Sequence, residues 1–417
     1  MPNLTKLNEF DYTNKTVLLR VDINSPIDKH TKIIVNENRI IKSIPTIKKL
    51  LDSGAKLAII AHQGDTLDYQ NLIPLHEHAK KLSFHSGYTI NYVDDVAGPE
   101  AQKKIKSLQS GEAILLGNLR YLSEEISTFE NSVKLKPQEM LDTYLVRGLA
   151  PLVDYYVNDA FAAAHRNSPS MVAFPELKPT AAGELLYNEV ATLEKVMHKP
   201  VRPSVFILGG AKISDAFGMM EKVLADGSVD NILTCGVTGE IMLKAAGFQL
   251  GRKKEEYLND KQLNVFVSDS KKYLKKYREK IHIPLDLAFS VHGERKEILI
   301  EDLPAEHMYK DIGSLTIEKY KSIISKAQTV FVNGPPGVYE ELEFEKGTRA
   351  IWEYIASAKG FSVMGGGDTV AAAIKFKNDE AIDYICTAGG AMVQYLSGKK
   401  LPLIQALEKA SKQYNST

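Results

Sequence analysis

Basic side chains recur at what read as strand ends in the first half of the chain. They are Arg20 with Asp22-x-Asn24, Arg39 at the next helical stretch, His62, Arg120 in GNLR, and His165-Arg166 in NDAFAAAHR. Guanidinium forks brought to the carboxyl ends of neighbouring parallel strands would make a pocket for phosphate or carboxylate oxygens. One such arginine alone reads as a surface ion pair. Coincidence at four strand ends points instead to an anion site.

The second half offers glycine turns. GGAK at 209–212 follows an apolar run, so its glycines allow close backbone approach to phosphate and Lys212 adds a point charge. It is not the G-x-x-x-x-G-K-[ST] loop. GGGDT at 365–369 opens a helix, where Asp368 could hold a metal bound to a nucleotide. NGPPGVYE at 333–340 makes a rigid loop in which Glu340 is available to accept from ribose hydroxyls. His76-Glu77-His78 sets its histidines two apart, on diverging faces, so it is not a zinc pattern and reads as solvated helix. Cys235 and Cys386 read as small buried hydrophobes and are assigned no chemistry.

Positioning these groups requires parallel βα units. Short β-rich runs, each followed by a turn and then helical periodicity, predict an α/β fold of two parallel-sheet domains. Strands are expected at 16–19, 57–61, 90–93, 113–116 and 155–157, then at 205–208, 232–233, 287–289, 330–332, 362–364 and 384–386. Ile40, Ile44, Ile47 and Leu51 recur at helical spacing, with Gly54 placed to cap that helix. The expected division is an anion-binding domain over 1–178, an interdomain helix and hinge over 179–200, and a nucleotide domain over 201–399. A last helix within 400–417 is expected to join the first domain. The 417 residues suffice for two such cores.

Lys plus Arg and Asp plus Glu are 52 each, so no bulk attraction to nucleic acid or an anionic membrane is expected. Two cysteines exclude a disulfide scaffold and suit a reducing compartment. No run approaches the roughly 18 apolar residues of a membrane span, and the N-terminal stretch lacks an apolar core, so a cytoplasmic location is expected. The Asn-x-Ser/Thr triplets at Asn3, Asn14 and Asn415 then read as chance matches.

The chain resembles the phosphoglycerate kinase family nearly from end to end. LLRVDINSP, GNLRY and VNDAFAAAHR are similar to its N-terminal signatures; LGGAKISD, DIGSLT, VNGPPGVYE, FEKGT, VMGGGDT and ICTAGGAM are similar to its C-terminal series. AHQG and PLHEHAKKLS resemble the archaeal-type branch. The resemblance implies two Rossmann-like domains about a cleft, one for the phosphoglycerate and one for MgATP or MgADP. By the same resemblance Asp22, Asn24, Arg39, His62, Arg120 and Arg166 line the acid site. Gly210, Ala211, Lys212, Gly236, Asn333, Gly334, Pro335, Val338, Glu340, Gly366, Gly367, Asp368 and Thr369 line the nucleotide site. Arg39 and Lys212 are the expected catalytic cations, and Asp368 the expected contact to nucleotide-bound Mg²⁺.

Four departures stand out. Asp65 occupies a position where the family has Arg or Lys, Ala216 replaces a second lysine of the bacterial and eukaryotic branches, GNLR replaces ENLR, and CGV at 235–237 replaces a glycine-rich run. The implied reaction is reversible transfer between 1,3-bisphosphoglycerate plus ADP and 3-phosphoglycerate plus ATP. Two other readings stay open at this point: a related kinase for another small carboxylic acid, with Asp65 reshaping the distal pocket, or a catalytically silent nucleotide-binding protein.

Overall fold

The computed structural model of the protein describes residues 1–65 and 69–414. Its contacts divide the chain into two compact units, 1–191 with 400–417, and 192–399.

In the first unit, β1 (Thr16–Arg20), β2 (Lys56–Ile60), β3 (Ile90–Tyr92), β4 (Ala113–Leu115), β5 (Tyr155–Asn158) and β6 (Thr180–Ala182) form a parallel sheet of order β3-β4-β2-β1-β5-β6. Val17, Leu19, Leu57 and Ile59 from its central strands pack with Ile40, Ile47 and Leu50 of the helix Asn38–Asp52. Gly54 follows that helix with φ +78°, and its N–H donates to Leu51 O at 2.9 Å, closing the last turn. The chain moves outward from β1 through β2, then returns to β5 on the other side of β1. The topological switch point, where open α/β sheets bind ligands, therefore lies at the ends of β1 and its neighbours.

In the second unit, β7 (Ser204–Leu208), β8 (Asn231–Thr234), β9 (Ile281–His282), β13 (Thr329–Asn333), β14 (Phe361–Gly365) and β15 (Tyr384–Ile385) form a second parallel sheet, of order β15-β14-β13-β7-β8-β9. Between β9 and β13 the chain makes an antiparallel sheet of β10 (Asp286–Val291), β11 (Glu294–Leu299) and β12 (Tyr309–Ile312), ordered β11-β10-β12. The run at 287–289, expected among the parallel βα units, belongs here. Its apolar centre pairs with a hairpin partner instead of following a crossover helix. In the parallel sheet, β7 and β13 flank the switch point, and Val205, Ile207, Val330 and Val332 pack there with Trp352.

The helix Glu184–His198 buries Leu186, Val190, Leu193 and Val196 and contains the division between the units. It starts later than position 179 because β6 occupies Thr180–Ala182. The helix Pro402–Tyr414 packs on β6, and its Leu403 N–H donates to Ala164 O, in the turn after β5, at 3.2 Å. His78 corrects the expectation of a solvated His-Glu-His stretch. It is fully buried, with Nε2 3.0 Å from Gln63 Oε1, while His76 is exposed and Glu77 half-buried. Among the described residues, no helix is long and apolar enough to cross a membrane.

Asp286 ties the antiparallel sheet to the rest of the second unit. Its buried carboxylate accepts from Leu315 N and Thr316 N, each at 2.9 Å, and from Thr316 Oγ1 at 2.6 Å, capping the helix Ser314–Ile324. Removing it strands several buried donors. Asp286→Ala is expected to destabilise the second unit by about 2–4 kcal/mol, read as a lowered denaturant midpoint. An unchanged midpoint would contradict this role.

Candidate active site

Arg20, at the end of β1, is buried at the switch point of the first sheet. Its Nη2 lies 2.8 Å from His62 Nδ1 just past β2, and its Nε donates to Ser170 Oγ at 3.4 Å. A guanidinium has only donors, so His62 Nδ1 must accept and the ring proton sits on Nε2. Burial pushes the His62 pKa well below its ordinary value, helped by the fields of Arg20, Arg120, Arg39 and Arg166. His62 is therefore a neutral donor beside a cluster of cations.

Arg120 follows β4 through a short turn in which Asn118 Oδ1 accepts from the Arg120 N–H at 3.1 Å. Its Nη1 donates to Glu125 O at 2.6 Å, while its Nε is buried without a partner. Burial and the charges of Arg166 and Arg20 pull its pKa down to about 10. Arg166 follows β5; its Nε donates to Glu130 Oε2 at 2.6 Å, and its Nη2 too is buried and unpartnered. Arg120 Nε and Arg166 Nη2 are both buried without a partner, and both residues wall a small recess with Arg20 and His62, an arrangement suited to an anion.

Asp22 Oδ2 holds Arg39 Nη1 at 2.7 Å, leaving the Arg39 side chain about one-third exposed. Asn24 Oδ1 accepts from Gly64 N at 3.0 Å, so Asn24 braces the loop after β2. Asp65 is exposed, and its charge acts on Arg120, opposing the fall in that residue's pKa. It lies on the side of the cationic cluster, at the end of the described stretch.

Sequence reasoning passed over several supports. Glu125 is buried against the recess and accepts from Ser170 N and Ser170 Oγ, each at 2.6 Å, and from Ser168 Oγ at 3.2 Å. Gln63 and Asn118 stitch three strand ends together: Ser25 N donates to Gln63 Oε1 at 2.9 Å, and Asn118 Nδ2 to Gln63 O at 2.9 Å. The only signal for these in the sequence is their place beside the basic residues.

In the second unit a cavity of about 470 Å³ opens at the β7/β13 switch point. Of the residues expected there, Gly210, Ala211, Gly236, Pro335, Val338, Glu340 and Asp368 line it. Gly209 and Gly334 approach so closely that a Cβ on either would collide with the other's backbone, and Gly334 adopts φ +90°. Thr369 is buried behind the wall, where its Oγ1 accepts from Gly334 N at 2.8 Å, and Asn333 ends β13 beside Gly366. Gly367 opens the helix Gly367–Lys375, and exposed Lys212 precedes the helix Ile213–Ala225, with its charge acting on Asp215. With the helix Gly236–Ala246, these elements present three helix N-termini after parallel strands, a setting suited to phosphates.

The other wall was not foreseen. It includes Leu287 of β10, Met308 to Ile312 along β12, and Glu240, Lys254 and Tyr257. Asp311 there is held by Arg295 Nη1 at 2.8 Å and Gly347 N at 2.7 Å; burial pushes its pKa up to about 6 against the pull of Arg295.

Among the described residues, no group of three or more His, Cys, Asp or Glu could hold a metal by itself. Asp368 offers one exposed carboxylate on the cavity at a helix N-terminus. That donor set fits Mg²⁺ carried in on nucleotide phosphates, an ion that keeps waters and takes one or two carboxylates, and does not fit a resident metal centre.

Likeness to other proteins agrees with this geometry and defines the chain as a phosphotransferase whose acceptor is a carboxyl group. The family pattern described as Phosphoglycerate kinase matches residues 7–399. A phosphoglycerate kinase of Methanothermus fervidus is 42% identical over 406 residues, covering 97% of each chain. One of Thermococcus kodakarensis is 41% identical over 409 residues, with the same coverage. The crystal structure of phosphoglycerate kinase from Pyrococcus horikoshii OT3 is 37% identical and gives a TM-score of 0.86 over 98% of this chain and 100% of that one. The chain belongs to the phosphoglycerate kinase family.

The His62 environment has a measurable consequence. A histidine kept neutral in the folded state but free to protonate when unfolded makes the unfolded state bind more protons below about pH 6.5, so stability falls as pH drops through that value. Nitrogen-15 NMR of the His62 ring should show the Nε2–H tautomer, unchanged from about pH 8 to about pH 5.5. Titration near pH 6.5 would contradict the cationic recess.

Proposed function

We propose that the first unit binds 3-phosphoglycerate by its phosphate and that the second binds ATP or ADP with Mg²⁺, in the cytoplasm. The two buried, unpartnered guanidinium donors of Arg120 and Arg166 carry this reading, because a dianionic phosphate would satisfy both. Arg20 and the Nε2–H of His62 would add further donors. Asp22 would orient Arg39 toward the carboxylate end of the acid, and Asn24 would hold the loop that frames it.

In the second unit, the backbone at Gly210, Ala211, Gly236 and Gly367 would approach the phosphates, with Gly334 and Gly366 permitting the tight turns. Pro335 and Val338 would flank the nucleoside, and Glu340 would accept from the ribose. Asn333 and Thr369 would brace the loop. Asp368 would contact nucleotide-bound Mg²⁺, which neutralises phosphate charge and orients the transferring group.

The chemistry asks little of an acid or base. A carboxylic acid ordinarily loses its proton at about pH 4, so the acceptor is already ionised at neutral pH and no group need take its proton. The barrier lies in joining one anion to another. In-line transfer needs the carboxylate, the phosphorus and the leaving oxygen on one axis, so acid and nucleotide must meet when both are bound. Arg39 and Lys212 would then stabilise charge on the transferring phosphoryl group in the transition state.

Lys212→Ala is expected to lower kcat by about 10²–10³ while changing the nucleotide KM far less, because a charge at the transferring group acts mainly in the transition state. Steady-state kinetics with 3-phosphoglycerate and ATP test this, and an unchanged kcat would remove Lys212 from the role. Asp65→Asn removes an anion whose field reaches Arg120. It should lower the 3-phosphoglycerate KM about 2–5-fold, the scale of an exposed charge contact, and leave kcat nearly unchanged. A raised KM would mean that Asp65 helps hold the acid.

A further inference from the structure

His78 is not among the residues that wall the recess of the first unit, yet it is a polar group wholly buried beside them in the fold. It lies on the helix His76–Ser86, with Nε2 3.0 Å from Gln63 Oε1. Which of these two atoms donates follows from the other partners of Gln63. Its Oε1 accepts from Ser25 N at 2.9 Å and its Nε2 donates to Ser25 O at 3.0 Å, which fixes the orientation of the amide. An amide oxygen only accepts, so His78 Nε2 carries the proton. Burial outweighs the pull of the Ile23 carbonyl and pushes the His78 pKa down to about 4, so the ring is neutral at ordinary pH. Its Nδ1 is then bare and buried without an aligned partner.

A leucine there would fill the space and strand no nitrogen. A polar group kept in a core at that cost points to a bond the protein needs, and this one leads to the acid site. Gln63 stands between His62, which walls the recess, and Gly64, whose N–H donates to Asn24 Oδ1 at 3.0 Å. Its own N–H donates at 3.1 Å to Asn118 Oδ1, in the turn that leads to Arg120. These bonds fix the spacing of the loops after β1, β2 and β4. The bond from His78 fixes the whole set against a helix. That helix packs on β3 and on the helix Asn38–Asp52, which carries Arg39 in its first turn.

We infer that His78 is a positioning residue for the acid site: its Nε2–H holds Gln63, and through Gln63 it sets where His62 and Asn24 stand. This rests on the reading of the first unit as the 3-phosphoglycerate site. His78 itself touches no reacting atom. It acts by keeping the neighbours of Gln63 in the geometry that binding requires, and small displacements of such groups are costly.

Calorimetric titration of the full chain with 3-phosphoglycerate and, separately, with MgADP tests this. His78→Leu removes the donor and the stranded nitrogen together. The Kd for 3-phosphoglycerate should rise about 5–20-fold, while that for MgADP stays within about twofold of wild type. His78→Gln, whose amide N–H reaches the place of the imidazole Nε2, should bind 3-phosphoglycerate within about threefold of wild type. His78→Asn, too short to reach Gln63, should bind it as weakly as His78→Leu. If the leucine variant does not fold, the two amide variants carry the comparison. Nitrogen-15 NMR of the wild-type His78 ring needs no variant and should show the Nε2–H tautomer with Nδ1 bare.

A ring protonated on Nδ1 would overturn the inference. So would a His78→Leu or His78→Asn protein that binds 3-phosphoglycerate as the wild type does, whatever its denaturant midpoint, because His78 would then serve packing alone. A His78→Gln protein as weak as His78→Leu would also overturn it. These results leave the acid site itself standing, whereas a wild type that binds no 3-phosphoglycerate would overturn the underlying reading of the first unit.

Discussion

Positive charge gathered at the strand ends of the first sheet, and only partly offset by Glu125 and Glu130, is the constraint on which the recess depends. Arg20, Arg120 and Arg166 share a desolvated recess with a neutral histidine, and two of their N–H groups have no partner. Such a cluster repels itself and survives only if the backbone around it is held firmly. The holding is visible: Gln63 and Asn118 join the loops after β1, β2 and β4, and Glu125 fixes the Ser168 to Ser170 turn. Glu130 neutralises the outer edge of Arg166, leaving its inner edge for a ligand. Function and local frustration thus have the same cause.

The second unit solves the complementary problem with less side-chain charge. Its cavity relies on backbone approach at Gly209 and Gly334 and on helix N-termini, which supply partial positive charge without long side chains to order. Asp368 lines the cavity and is exposed, and exposed Lys212 directly follows the lining residue Ala211. A carboxylate acceptor needs no activation, which fits a first site rich in cations.

Legibility in the sequence followed local signal strength. Strands such as β1, β2, β7 and β13 are apolar, β-branched runs ending at basic or glycine turns, so both their existence and their chemistry could be read. Thr180–Ala182 carries almost no β signal, because its pairing with β5 and a bridge to Lys6 impose the strand. The polar edge strand β11, exposed or half-buried throughout ERKEIL, was equally silent. Glu125 follows another glutamate and reads as solvated, and His78 sits among polar neighbours; tertiary packing buries both. The turns at Gly209–Gly210, Gly334 and Gly365–Gly367 announced themselves through their glycines. The Glu240, Lys254 and Tyr309 wall did not, because it is assembled from two helices and a separate sheet far apart in sequence.

That buried guanidinium charge awaits a phosphate is tested most directly by calorimetric titration of the protein with 3-phosphoglycerate and, separately, with D-glycerate. The two acids share a carboxylate and differ in the phosphate. Two charge-assisted hydrogen bonds regained by buried donors correspond to at least about 100-fold in affinity, and a preference of that size for the phosphorylated acid is the predicted result. D-glycerate binding within about threefold of 3-phosphoglycerate would contradict it.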